Sequence, residues 1–230
     1  MLKDLEAALA AVPGMGQKTD YVRAITEGNC LGKATAATRR LSSQRLAELY
    51  ALDSGVPIFR VLTRLWNLDS GAQPLLAMLS AIARDPLLAA TAGPVLSLFP
   101  GEEFSRERTK HALRELVGDR LNDAILEKVV RNAASSWTQS GHLEGRTFKK
   151  RRVVRATAPS GAFALYLSHV AGFRGSEIFA SAWFAVLDCT PTSARDLAIE
   201  AKRMGLIDLR ISGEVVDLVL DRLDPLERRS

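Results

Sequence analysis

The sequence predicts a mostly α-helical protein: a helical core with helix-turn-helix and winged-helix-like modules carrying short β-wings. Helical spacing of apolar residues runs through most of the chain, and period-two alternation is confined to two short ribbons. A helix, a glycine turn and a ribbon also recur in that order. They read as Asn122 to Ser140, Gly141 to Gly145 and Arg146 to Arg155 in one copy, and as Ser193 to Met204, Gly205 and Leu206 to Leu220 in the other. Gly141 aligns with Gly205 and Leu143 with Ile207, which carries the correspondence past the turn.

The chain has 230 residues, 47% of them hydrophobic, enough for a buried core. Charged residues make up 25% and the net charge is +5, a modest excess that suits an anionic partner without demanding one. Cys30 and Cys189 lie far apart and belong to no Cys-x-x-Cys pair, so no disulfide framework or zinc site is expected. Apolar stretches around Leu75 to Ala83 and Ala162 to Phe173 are too short to span a bilayer. Asp4 and Glu6 interrupt what would be the apolar core of a signal peptide. These features lead to the expectation of a cytoplasmic protein with no membrane segment.

Taken in order, a short N-terminal helix ends at Pro13-Gly14-Met15-Gly16. Helices over Lys18 to Glu27 and Lys33 to Leu52 follow, joined at Gly28-Asn29, and form a helix-turn-helix candidate. The second presents Arg39, Arg40 and Arg45 among Thr and Ser hydroxyls, side chains that reach phosphates or base edges. A solvated amphipathic helix has the same composition. Residues 58 to 120 read as helical core, with Asp85-Pro86 starting one helix, Gly93-Pro94 ending or bending the next, and Glu102 to Val117 forming a mixed-charge helix.

In the first winged-helix candidate, Asn122 is the N-cap, and Leu126, Val129, Val130, Ala133 and Trp137 define a buried stripe. The remaining surface carries Lys128, Arg131, Asn132, Ser135 and Gln139 with no outward acid after Glu127. The ribbon beyond adds Arg146, Lys149, Lys150, Arg151, Arg152 and Arg155. An acid-free face beside a cationic ribbon suits phosphate contact, because a carboxylate there would repel the nucleic-acid backbone. The structural alternative is a ribbon neutralised from elsewhere in the fold, by Glu102, Glu103 or Glu115.

The second candidate mixes Arg195, Lys202 and Arg203 with Asp196 and Glu200, and its ribbon balances Arg210 against Asp208, Glu214 and Asp217. Ser193 and Asp196 read as a capping box with a shortened acid. This copy is expected to pack or bind a partner, above a core supplied by the apolar helices Phe163 to Val170 and Ile178 to Leu187.

No catalytic, cofactor or metal constellation is found. His111, His142 and His169 lack metal-ligand spacing. Gly28 to Thr35 fails as a P-loop, being one residue short between glycines and carrying alanine after the lysine. The expectation is a non-enzymatic protein without a small-molecule ligand.

Gly28-Asn29-Cys30-Leu31-Gly32-Lys33-Ala34-Thr35-Ala36-Ala37-Thr38-Arg39-Arg40 resembles the Asn-x-Leu-x-Lys-x-Thr-x-x-Thr-Arg pattern of the BrxA family, accessory proteins of bacteriophage exclusion (BREX) systems. Leu121 to Val129 and Trp137 to Leu143, closing on Gly-x-Leu, are similar to that family's later helix, so the resemblance covers residues 18 to 143. It implies a mostly helical, non-enzymatic DNA-binding protein working beside a methyltransferase, a phosphatase-like protein and ATPases in phage defence. It assigns no DNA-contact residue, and the contacts named above rest on charge alone.

The expected organisation is therefore a helix-turn-helix-like region over residues 1–57, a helical core ending in a basic winged-helix-like module over 58–155, and a second such module over 156–230. The expected partner is double-stranded DNA, with other BREX proteins as further candidates. An assembly adaptor and a transcription regulator are the alternatives.

Overall fold

The computed structural model describes residues 1–213 and 215–224. Glu214, read above as an acid of the second ribbon, and residues 225–230 lie outside the described residues. The protein is mostly helical with two small two-stranded sheets, as the apolar spacing predicts.

Helices α1 (Leu2–Ala11), α2 (Lys18–Thr26) and α3 (Ala36–Tyr50) pack on one another at the N-terminal end. The Asp20 carboxylate accepts the Gln17 amide at 2.9 Å to start α2, and Thr35 Oγ1 accepts the Thr38 amide at 3.1 Å to start α3. The start of α3 thus falls later than Lys33. That lysine belongs to the connection, where its Nζ pairs with Asp4 of α1 at 2.7 Å. Helix α3 also ends early, because Ala51 and Leu52 take positive φ of 68° and 52° and turn the chain away from the helix.

Helix α4 (Pro57–Trp66) and helix α5 (Gln73–Arg84) form the centre. Next come α6 (Pro86–Ala90) and α7 (Ala92–Leu96), bent by 104° from α5 where Asp85 ends one helix and caps the next. Gly93-Pro94 sits within α7 rather than at its end; proline in a first turn forfeits no helical hydrogen bond. Among the described residues no single helix is long and apolar enough to cross a membrane.

Helices α8 (Arg106–Val117) and α9 (Asp123–Gln139) pack on each other and are followed by the ribbon of β1 (Leu143–Glu144) and β2 (Lys150–Arg151). Residues 102–104, expected in the helix, instead run along the free edge of β2. The Arg151 amide donates to Glu102 O at 2.9 Å and the Phe104 amide to Lys149 O at 2.8 Å, and Ser105 then caps α8. Hydrogen bonding to that edge outweighs the helix propensity of two glutamates.

The second unit begins with α10 (Ala158–Val170), buried on every side from Ala158 to Ser168, as a helix at the centre of a core must be. A 3₁₀ segment (Gly175–Ala180), α11 (Ala182–Val186), α12 (Pro191–Arg203) and the hairpin β3 (Asp208–Ser212) and β4 (Val215–Val219) complete it. Gly161 explains the close approach of α10 to α12: a Cβ there would lie 2.9 Å from Leu197 Cβ. The cap of α12 is Thr190, whose Oγ1 accepts the Ser193 amide at 3.2 Å. The Ser193 and Asp196 box is displaced because Pro191, with its fixed φ, already opens the helix.

Helix α5 contacts α3, α4, α6, α9 and α10, and α10 also contacts α4, α11 and α12. The buried residues consequently form one cluster running through all three expected regions. Arg60 of α4 closes the chain on itself, donating to both carboxylate oxygens of Asp224 at 2.8 and 2.6 Å.

Candidate nucleic-acid interface

Helix α9 is placed from both ends. Asn122 Oδ1 accepts the Ile125 amide at 3.0 Å, and Leu126, Val130, Ala133, Ala134 and Trp137 are buried. Trp137 anchors the last turns. Its Nε1 donates to Thr91 Oγ1 at 2.8 Å, and that hydroxyl donates to Leu88 O at 2.6 Å. Burial of this stripe turns Lys128, Arg131, Asn132 and Ser135 to solvent.

The acids of the first turns of α9 face helix α8. Lys110 meets Asp123 at 3.2 Å and Glu127 at 3.8 Å, and Arg114 also pairs with Asp123. The hydrogen bond and charge of Lys110, then those of Arg114, hold the Asp123 carboxyl below its ordinary range. The rest of the exposed face of α9 is left without an acid.

Gln139, read as a groove contact, is occupied elsewhere. Its Oε1 accepts from the Met1 ammonium and the Leu2 amide at 3.1 and 3.0 Å, and its Nε2 donates to Ser135 Oγ at 3.1 Å. It caps the start of α1.

The ribbon differs from the sequence reading in its charge. Arg151 is only 4% exposed and forms a buried ion pair with Asp188, which also accepts the Val154 amide at 2.8 Å. A guanidinium in that position offers nothing to a phosphate. Lys150 stands opposite Glu144 on one side and Glu103 on the other, so the three side chains share a face. Arg152 meets Glu144 at 2.6 Å. Of the three acids named as neutralising candidates, only Glu103 lies across from the ribbon cations; Glu144 and Asp188 supply the rest. The strands are also shorter than Arg146 to Arg155, because β1 opens inside the expected turn and a loop from Gly145 to Lys149 intervenes.

Three ribbon cations, Arg146, Lys150 and Arg155, are exposed and take part in no ion pair among the described residues. Lys149 ties the loop to α9, donating to Thr138 Oγ1 at 2.8 Å and to Gly145 O at 3.2 Å. Beside it a cleft of about 580 Å³ opens between α8, α9 and the loop, lined by Phe104, Arg106, Arg131, Thr147, Phe148 and Lys149 among others. Arg106, Thr147 and Phe148 were not read as site residues. Their signal was a bulky aromatic in a glycine-bounded basic loop.

On the N-terminal helix pair, Arg40 and Arg45 are exposed, and Arg39 is half-buried with its Nε unpartnered. Arg40 lines a groove of about 520 Å³ with Lys18, Val22, Gln44 and Arg84. These arginines project from α3 and not from the α8 and α9 pair that carries the other cations.

The hydrogen-bond network behind α9 is structural. His142 is buried between Ser140 Oγ, 2.8 Å from Nδ1, and Val186 O, 2.7 Å from Nε2. A carbonyl only accepts, so Nε2 carries the proton and Nδ1 accepts from Ser140. Burial lowers the His142 pKa to about 4. It likewise pushes the Cys30 and Cys189 thiols up, away from thiolate character. Among the described residues no group of three or more His, Cys, Asp or Glu side chains is placed to hold a metal ion.

Fold and site together define a mostly helical protein in which, among the described residues, one two-stranded ribbon follows α9 and another follows α12. No family model, curated protein or solved structure matches the chain.

Proposed function

We propose that the protein is a non-enzymatic, sequence-tolerant double-stranded DNA-binding protein, with α9 as its main contact. The observation that carries this reading is the acid-free exposed face of Lys128, Arg131, Asn132 and Ser135, continued past the ribbon loop by Arg146 and Arg155. Arg40 and Arg45 offer a second phosphate contact on α3. The resemblance of residues 18 to 143 to the BrxA family supports placing this activity in a BREX-type phage defence system, in the cytoplasm. Four to six engaged phosphates give a slope of log affinity against log salt of roughly −4 to −5.

The test is titration of a labelled duplex of about 30 base pairs, long enough to present that number of phosphates, at several salt concentrations. The variant for comparison carries Lys128→Ala, Arg131→Ala and Arg146→Ala, three exposed positions whose loss leaves the core intact. Salt-sensitive binding that the variant loses supports the reading; salt-independent binding sinks it.

A second reading is an assembly adaptor, favoured by the partial charge balance of the ribbon, where Asp188 and Glu144 pair with Arg151 and Arg152. Co-purification with a protein partner at high salt without nucleic acid supports it.

A further inference from the structure

The cleft between α9 and the ribbon loop has features that phosphate binding does not use. Phe148 is 69% exposed at the loop, although it is the kind of side chain a fold normally buries. The backbone holds it there. Gly145 sits at φ 114°, and a Cβ at that position would lie 2.2 Å from Phe148 O. On the other side the Lys149 carbonyl is bound by the Phe104 amide at 2.8 Å, and the Lys149 side chain is bound to α9. The ring is thus presented from a tethered loop, with Arg146 and Lys149 beside it in sequence and Arg131 across the cleft.

Resting on the nucleic-acid reading above, we propose that this cleft takes one unpaired base, with the Phe148 ring as its stacking surface. An aromatic face set among cations is how proteins hold single-stranded bases, because every base offers a π-face while its phosphates are neutralised nearby. The cleft volume of about 580 Å³ lies within the range of small-ligand pockets. Glu103 and Glu107 also line it. Their carboxylates are of the kind that accepts hydrogen bonds from an exocyclic amino group, as acidic side chains do from cytosine. The phosphates of the bound nucleotide and its neighbours then meet Arg106 and Arg131 on the cleft wall and Arg146 beside it in the loop. Duplex DNA with an unpaired or extruded base is the substrate this arrangement fits, since a fully stacked duplex hides the π-faces that Phe148 would meet.

The test compares two labelled duplexes of the same sequence, one fully paired and one carrying a single unpaired cytosine, with the wild-type chain and with Phe148→Ala. Phe148 is exposed, so the substitution removes no core contact. The expected result is a wild-type preference for the unpaired cytosine of roughly 5- to 150-fold, the range of one base–aromatic stack. Phe148→Ala should bind the two duplexes alike. A wild-type chain that binds both alike, or a preference that survives in Phe148→Ala, overturns this inference and leaves duplex binding standing. Absence of binding to either duplex at low salt overturns the duplex-binding reading as well as this inference.

Discussion

Arg151 and Asp188, 37 residues apart in sequence, meet in a buried ion pair that ties the first ribbon to the loop before α12. One carboxylate oxygen of Asp188 takes the guanidinium and the other takes the Val154 amide, so the same residue also fixes the path of the chain as it leaves the ribbon. Asp188 holds a positive φ of 55° to do so. The pair fixes how the first ribbon sits against the segment that leads into α12.

Arg151→Ala is therefore expected to destabilise the protein by about 3 kcal/mol, because the largely buried Asp188 carboxylate loses its counter-charge and keeps only the Val154 amide. Urea unfolding measures it. A loss under about 1 kcal/mol, the range of exposed pairs, would mean that water reaches Asp188.

His142 predicts a pH dependence. Its pKa is about 4 in the folded protein against an ordinary value of 6.5, chiefly from burial. The unfolded chain therefore binds the proton more readily. Stability is full above pH 6.5 and falls as the pH drops from 6.5 to 4, by about 3 kcal/mol at ~1.4 kcal/mol per unit. His142→Asn should be less stable at pH 7 but flatter across that window, which unfolding midpoints at a series of pH values will show.

Thr91→Val keeps the shape of the side chain and removes the acceptor for Trp137 Nε1, leaving a buried N–H without a partner. The expected cost is about 1 to 3 kcal/mol. Thr91→Ser, which keeps the hydroxyl, should recover most of it. A loss in Thr91→Ser with none in Thr91→Val would show that the methyl group and not the hydrogen bond matters.

Gly145→Ala places a Cβ against the Phe148 carbonyl at a backbone angle that L side chains rarely adopt. We expect a cost of about 1 to 3 kcal/mol from the strained residue. Faster amide exchange at Phe104 and Arg151, whose N–H groups bond across the ribbon, should accompany it. Unchanged exchange would mean that the loop relaxes without disturbing the strands.

The sequence alone determined the helical character, the two helix-turn-ribbon units and the buried stripe of α9. Each is written in local periodicity and in cap and turn residues such as Asn122, Asp85 and Gly213, whose chemistry acts within a few positions of the chain. Tertiary structure alone decided the fate of the charges. Arg146 and Arg151 are alike in composition and neighbourhood, yet one faces solvent and the other a carboxylate 37 residues away. Gln139 reads as a free polar side chain until α1 begins beside it, and Arg152 reads as a free cation until Glu144 pairs with it. Backbone periodicity is a local property, whereas the partner of a charge is set by whichever distant segment the core brings within a few ångströms.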